Sequence, residues 1–133
     1  MPIIHVIAGC LLDQDQRLLV VRKRGTGHFM LPGGKPETGE TPLATLSREC
    51  REELGGSIGE DELAMLGRFR ARAANEPDTH VDADVFIIEG MEGTPQARGE
   101  IEEIRWMALD DDTLPLAPLL HDDVLPALRQ RFG

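Results

Sequence analysis

The sequence predicts an α/β (α+β) fold, because apolar strand patterns and amphipathic helix patterns alternate along the chain. With 133 residues, the chain is long enough to bury one hydrophobic core and too short for two ordinary domains. No internal repeat and no low-complexity segment interrupts it. We therefore expect a single domain over residues 1–133, in which strands and helices pack in common layers.

Turn-forming residues set the limits of the predicted elements. Asp and Gln residues separate the first two strands, and the Gly/Pro-rich chain after them is predicted to be irregular up to Thr41. Thr41 is a good helix N-cap, Pro42 suits the first helical position, and Gly55 ends the helix. The segment NEPDT joins the next two strands, and Pro126 predicts a break in the last helix. The predicted elements are strands at 3–12, 17–23, 62–73, 80–90 and 103–109, and helices at 41–54 and 119–132.

The charge balance and the cysteines restrict the function classes. The formal net charge is −10, from 24 acidic and 14 basic side chains, which argues against a long nucleic acid as partner. The apolar runs are shorter than the ~18 residues that span a bilayer, and the N-terminus lacks the basic region of a signal peptide. Cys10 and Cys50 lie among apolar neighbours, as reduced core thiols do. We expect a cytoplasmic protein, monomeric or homodimeric, that binds no membrane.

Three glutamates of the first helix, Glu49, Glu52 and Glu53, follow an i, i+3, i+4 spacing and project from one face. Like charges at this spacing destabilise a helix by roughly 0.2–0.5 kcal/mol per pair. A divalent cation such as Mg²⁺, which prefers oxygen ligands, would remove that repulsion. The alternative is a solvated face on which Arg48 pairs with Glu52. The adjacent stripe that should face the core consists of Leu43, Leu46, Cys50 and Leu54.

Residues 34–56 combine a glycine-rich loop and this helix at a fixed spacing. A glycine is followed after five residues by a glutamate, and after seven more by Arg-Glu, then by Glu-Glu and a second glycine. This register resembles the Nudix box. Cys50 and Gly56 stand where that box has bulky aliphatic residues, and Cys50 keeps the character of a small buried hydrophobe. The matching positions are Gly34, Glu40, Arg48, Glu49, Glu52, Glu53 and Gly55.

The resemblance implies an α/β/α sandwich with a mixed β-sheet and a catalytic loop-helix-loop. It also implies a Mg²⁺- or Mn²⁺-dependent hydrolase that cuts a diphosphate linkage in a nucleoside diphosphate attached to a group X. By the same resemblance, Glu49, Glu52 and Glu53 would bind the metal together with the backbone carbonyl of Gly33. Arg48 would orient these glutamates.

Family members differ over which glutamate is the general base, and two candidates follow for this chain. One is Glu53 on the helix, and the other is Glu100 on a later loop, which is also a candidate metal ligand. Some MutT-type members carry a functional glutamate at that distance before a tryptophan, here Trp106. The alternative for Glu100 is an exposed loop carboxylate. Glu40 would support the substrate site from the glycine-rich loop.

Candidates for substrate binding lie at the end of the second strand and just beyond it. Strand alternation places Arg22 and Arg24 on one face and Lys23 on the other, and we favour Arg24, then Arg22, as phosphate ligands. The alternative is a solvated strand end. Phe29 is a candidate contact for the base or for group X, with a place in the core as the alternative.

The predicted substrate is a small nucleotide, namely a nucleoside triphosphate cut to the monophosphate and pyrophosphate. The short chain and the spacing from Glu100 to Trp106 favour this MutT-type reaction. The segment LPLAPLLHDD has no counterpart of the asparagine that certain MutT-type enzymes use to read oxidised guanine. Pro77 lies too far from the box to match the proline of many ADP-ribose enzymes. The alternatives are an ADP-ribose or nucleotide-sugar pyrophosphatase, and a non-catalytic nucleotide-binding regulator.

Overall fold

The computed structural model describes residues 2–74 and 76–133. The predicted NEPDT connection begins at Asn75, which lies outside the described residues, as does Met1. In chain order the elements are β1 (Ile3–Leu11), β2 (Leu18–Lys23), β3 (Gly33–Gly34), α1 (Pro42–Leu54), a 3₁₀ turn (Glu60–Glu62), β4 (Leu63–Arg72), β5 (His80–Ile88), β6 (Ile101–Met107), and a π-helical turn (Leu119–Val124) that continues as α2 (Leu125–Phe132).

The strands form two sheets. The larger has the order β3-β1-β5-β4, with β1 parallel to β5 and the other pairs antiparallel, so it is mixed as predicted. Its parallel register runs from Ile3 opposite His80 to Leu11 opposite Ile88. The smaller sheet is the antiparallel pair of β2 and β6.

Helix α1 begins and ends where its capping residues predict. The Thr41 hydroxyl oxygen accepts a hydrogen bond from the Ala44 backbone N–H at 3.1 Å, and Pro42 opens the helix. Gly55 closes it with φ of 75°, a left-handed conformation that glycine adopts without steric cost. The cap fixes the phase of the helix, and therefore which side chains face the sheet.

The two helices cover opposite faces of the sheet layer. Leu46, Cys50 and Leu54 of α1 are fully buried, the latter two in a cluster with side chains of β1, β2, β5 and β6. The C-terminal helix buries Leu120 and Leu128 in a second cluster on the other face, again with β1 and β5. Apolar burial on both faces confirms the predicted α/β/α arrangement.

Three details differ from the sequence prediction. The segment before α1 is not wholly irregular, because Gly33 and Gly34 pair with β1. β6 begins at Ile101 rather than at 103, since pairing with β2 extends its N-terminal end. The last helix is not interrupted at Pro126 but starts with wider π-helical turns, so that Pro126 falls in the first turn of α2, where proline is tolerated. No helix in the described part of the chain is long and apolar enough to cross a membrane.

Candidate active site

Two glycines hold the loop before α1 close to both β1 and the helix. Gly33 has φ of 149°, and a Cβ built on it would overlap the carbonyl oxygen of Ile7. A Cβ on Gly34 would lie 2.5 Å from Oε1 of Glu49. Any larger residue at either position would therefore push the loop away from the strand or from the first glutamate of the cluster.

The Arg48 guanidinium connects this loop to the helix carboxylates. Its Nε and Nη2 donate to the two carboxylate oxygens of Glu40 at 2.8 and 2.9 Å, and Nη2 also donates to the Lys35 carbonyl at 3.1 Å. Its Nη1 donates to Glu49 at 2.7 Å and lies 3.6 Å from Glu52. The bidentate pair with Arg48 lowers the pKa of Glu40 to about 2 and raises the pKa of Arg48. Arg48 is thus the central cation of the cluster.

Glu53 is the chemically unusual member of the cluster, because its side chain is only 2% exposed. Its Oε1 accepts a hydrogen bond from the Gly33 N–H at 3.2 Å, whereas the buried Oε2 has no hydrogen-bond partner among the residues that the structure describes. Burial, and next to it the charge of Glu49, raises the pKa of Glu53 to about 8. A buried carboxylate with a raised pKa and an oxygen without a hydrogen-bond partner is suited to accept a proton or to bind a cation.

The donor set of the cluster fits a hard divalent cation. Glu49, Glu52 and Glu53 offer carboxylate oxygens from one helix face, and the partnerless Oε2 of Glu53 is the kind of atom that a bound cation satisfies. The ligands are not preassembled, however. Within residues 2–74 and 76–133, no three His, Cys, Asp or Glu side chains converge as a ready-made metal site. Instead of converging on one point, Glu49 forms an ion pair with Arg48 at 2.7 Å, and the Glu52 carboxylate lies 3.6 Å from the same guanidinium.

A cavity of about 560 Å³ opens beside the cluster, a volume typical of small-molecule sites. It is lined by Gly33, Gly34, Glu49 and Arg48. Apolar residues of β1, of the chain between β2 and β3, of β5 and of the C-terminal segment also line it. These apolar residues include Ile4, Val6, Leu31, Val81, Leu119 and Leu120.

Glu100 lies at the cavity together with the cluster. Its side chain is exposed and its Oε1 lies 3.7 Å from the Nζ of Lys23, which also lines the cavity. Its backbone carbonyl accepts a hydrogen bond from the Arg24 N–H at 2.8 Å, which ties the loop before β6 to the end of β2. The structure therefore brings Glu100 to the same cavity as Glu49, although not into contact with the helix glutamates.

The two arginines favoured from the sequence do not line the cavity. Arg22 pairs with Glu103 at 3.3 Å and Arg24 with Glu102 at 3.2 Å, so β6 neutralises both. Lys23, between them, faces the cavity instead. The cavity therefore lies on the face of β2 that Lys23 presents, opposite the face that carries Arg22 and Arg24.

Phe29 is also absent from the cavity lining. Its side chain is 4% exposed and packs in the core cluster beneath the C-terminal helix, with the Arg105 guanidinium 5.8 Å from the ring centre. Among the alternatives weighed from the sequence, the core position is the one that the structure supports, because its ring has no face on the cavity.

Sequence reasoning considered Lys23 without favouring it, and it missed other charged groups at the cavity. Strand parity groups Lys23 with Leu19 and Val21, but that these two pack in the cluster with α1 is known only from the structure. Lys35 lies in the variable part of the box, and Arg72 and Glu76 lie beyond it, where no local pattern marks them.

Comparisons with known proteins identify the family of the chain. The NUDIX domain model matches residues 3–128. The chain is 35% identical over 118 residues to the oxidized purine nucleoside triphosphate hydrolase of Mus musculus, an alignment that covers 85% of this chain and 70% of that protein. It is 27% identical over 131 residues to the 8-oxo-dGTP diphosphatase of Escherichia coli, covering 96% of this chain and 97% of that protein.

A solved structure supports the same assignment. The MutT NUDIX hydrolase from Burkholderia pseudomallei superposes with a TM-score of 0.77 at 25% sequence identity, over 98% of each chain. The match therefore includes both helices and both sheets. The box residues, the fold and these relatives together show that the chain belongs to the Nudix family, as a pyrophosphohydrolase that acts on nucleoside diphosphate derivatives.

Proposed function

We propose that this enzyme hydrolyses a nucleoside triphosphate to the monophosphate and pyrophosphate, with Mg²⁺ or Mn²⁺ as cofactor. The observation that carries the proposal is the cavity, which Glu49 and Gly33 line together with apolar side chains suited to contact a base. The relatives named as hydrolases of oxidised purine nucleoside triphosphates support the same substrate class.

The metal ligands in this proposal are the carboxylates of Glu49, Glu52 and Glu53 and the backbone carbonyl of Gly33. A divalent cation bound there supplies positive charge for the diphosphate and acidifies a water molecule. Glu100 is proposed as a further ligand or base from the loop before β6, since it lines the same cavity.

Glu53 is the proposed proton acceptor for the attacking water. Burial beside Glu49 raises the pKa of Glu53 to about 8 in the metal-free protein, so this carboxylate has a higher affinity for a proton than an exposed glutamate has. Among the described residues nothing donates a hydrogen bond to its Oε2, so this oxygen is open to a cation or to a proton. The Gly33 N–H meanwhile holds Oε1 in place.

Arg48 and Glu40 are proposed as positioning residues. Arg48 donates to the loop carbonyl of Lys35, to Glu40 and to Glu49, so it fixes the loop relative to the helix. Glu40 in turn accepts from the Thr45 hydroxyl at 3.0 Å and from the Glu37 N–H at 2.8 Å. The pair sets the geometry of the glutamates without needing to touch the substrate.

Lys23 and Lys35 replace Arg24 and Arg22 as the proposed phosphate ligands. Both lysines line the cavity, and Lys23 lies close enough to Glu53 to lower its pKa slightly against the larger effect of burial. An ammonium group binds a phosphate oxygen as a compact point charge. The adjacent Arg24 provides a matched control for this role.

The proposal is tested by product analysis and by kcat/KM across the four dNTPs, oxidised dGTP, ADP-ribose and a nucleotide sugar. We expect a triphosphate to give monophosphate and pyrophosphate with the highest kcat/KM. Lys23→Ala should lower that value by about ten-fold or more, whereas Arg24→Ala should change it by less than about two-fold. A preference of ten-fold or more for ADP-ribose or the nucleotide sugar would refute the triphosphate assignment while leaving the family chemistry intact.

A further inference from the structure

We infer that Gly99 is a positioning residue, which sets the place of the Glu100 carboxylate relative to the glutamates of α1. Gly99 closes the connecting segment (residues 91–99), which leads from β5 towards β6. The inference rests on the proposed function, because Glu100 is proposed there as a metal ligand or base. It adds that the end of α1 itself holds this glutamate at the cavity.

The last carbonyls of α1 are hydrogen-bond acceptors for the connecting segment. A helix leaves its final four C=O groups without intrahelical partners. Here the backbone N–H of Arg98 donates to the Glu53 carbonyl at 3.0 Å, and that of Gln96 donates to the Leu54 carbonyl at 3.1 Å. The backbone of Glu53 therefore binds the connecting segment, while its side chain belongs to the glutamate cluster.

Two glycines at the end of α1 make room for this contact. A Cβ on Gly55 would lie 2.7 Å from Nε of Arg98, and a Cβ on Gly56 would overlap Sδ of Met91. Met91 packs against the buried cluster beneath α1. Its side chain thus fills the space that the aliphatic residue of the Nudix box would need at position 56, so the connecting segment and the end of α1 fit each other.

A tight turn follows the contact with α1 directly. The Ile101 N–H donates to the Arg98 carbonyl at 3.0 Å, so residues 98–101 form a β-turn. Gly99 lies in this turn with φ of 59°, and a Cβ on it would lie 3.2 Å from the Glu52 carbonyl oxygen. Any side chain at this position would therefore strain the turn and crowd the end of the helix.

Glu100 is held from both sides by these contacts. The turn at Gly99 precedes it, and its own carbonyl accepts a hydrogen bond from the Arg24 N–H of the chain that follows β2, at 2.8 Å. Its Oε1 lies 3.7 Å from Nζ of Lys23 at the cavity. A shift of the turn at Gly99 would move the Glu100 backbone, and with it the carboxylate, relative to α1.

The test combines Gly99→Ala and Glu100→Gln in a double-mutant cycle. Gly93→Ala is the matched control, because Gly93 lies in the same segment with φ of 93°, and the nearest neighbour of its Cβ would be the Gly55 carbonyl oxygen at an ordinary 3.7 Å. The kcat of each variant is measured with the nucleotide that the wild type hydrolyses fastest. Amide hydrogen exchange of Arg98, followed by NMR without metal or nucleotide, reports separately on the contact with α1.

We expect the Arg98 amide to be protected in the wild type. Gly99→Ala should raise its exchange rate by about five-fold or more, and Gly93→Ala by less than about two-fold. Gly99→Ala should also lower kcat by about five-fold or more, whereas Gly93→Ala should change it by less than about two-fold. When Glu100 is already glutamine, Gly99→Ala should cost less than about a further two-fold, because the group that it positions is gone.

Three results would overturn the inference and leave the proposed function intact. They are an unprotected Arg98 amide in the wild type, a wild-type kcat in Gly99→Ala while Glu100→Gln is impaired, and an equal loss of kcat from Gly99→Ala with and without the Glu100 carboxylate. A wild-type kcat in Glu100→Gln would instead remove Glu100 from the proposed function, and the inference with it. If Gly99→Ala does not fold, Gly99→Asn takes its place, because asparagine tolerates a positive φ better.

Discussion

Replacing Glu53 with glutamine should stabilise the metal-free protein at alkaline pH. The substitution keeps the shape of the side chain and removes a charge from a site that is 2% exposed. The Gly33 N–H can still donate to the amide oxygen, and the new amide N–H₂ lies toward the Glu49 carboxylate, the neighbour that opposes ionisation of Glu53. The variant therefore removes an electrostatic cost and adds a compatible donor.

The magnitude follows from the pKa of Glu53. Its pKa is about 8 in the folded protein against 4.5 for an ordinary glutamate, so the folded state holds the proton more tightly than the unfolded state. The resulting contribution to stability is complete below pH 4.5, declines as the pH rises, and is lost above pH 8. The full difference corresponds to up to ~5 kcal/mol, of which about 3 kcal/mol is lost by pH 7.

The assay is urea unfolding followed by circular dichroism in EDTA, at pH 5, 6, 7 and 8. We expect Glu53→Gln to be more stable than the wild type by about 2–4 kcal/mol at pH 8 and by less than about 1 kcal/mol at pH 5. Glu52→Gln is the matched control, because the Glu52 side chain is 60% exposed on the same helix and should show no such trend. Adding Mg²⁺ should then stabilise the wild type more than Glu53→Gln.

The pH dependence of the difference decides the question, because Glu53 is the one titratable side chain that distinguishes the two proteins. If Glu53→Gln were less stable than the wild type at pH 8, or if the difference were the same at pH 5 and pH 8, the Glu53 carboxyl would not be a buried group that resists ionisation. Its proposed role as a base with a pKa near neutrality would then lose its physical basis.

Three further predictions concern activity and packing. EDTA should abolish hydrolysis and Mg²⁺ or Mn²⁺ should restore it, as followed by pyrophosphate release; turnover that persists after exhaustive chelation would contradict the metal role. Glu53→Gln should lower kcat by about 10²-fold or more at saturating metal, with Glu100→Gln measured in parallel to show whether the later loop shares the work. Cys50→Val should stay folded, with a free energy of unfolding lowered by under ~1.5 kcal/mol, because a small buried hydrophobe replaces a similar one. It should also stay active, because burial raises the pKa of the Cys50 thiol to about 12 and so keeps it unreactive. Loss of kcat with unchanged stability would point to thiol chemistry.

The sequence by itself determined the loop-helix unit at the site. Thr41, Pro42 and Gly55 fix the limits of α1 through local backbone chemistry, and the i, i+3, i+4 spacing then places the glutamates on one face. Helix phase depends only on neighbours within a few residues along the chain. For the same reason, the amphipathic stripe correctly predicted Cys50 and Leu54 as core residues.

Only the tertiary structure decided which strand cations face the cavity and which glutamate is buried. Alternation in β2 separated Lys23 from Arg22 and Arg24, but the face that carries the cavity depends on where α1 and β6 pack. Glu53 is buried because Gly33 brings the loop over it, a contact between residues 20 positions apart. Burial and ion pairing are properties of segments that meet only after folding, so a local pattern could place Glu53 on a face but could not assign its pKa.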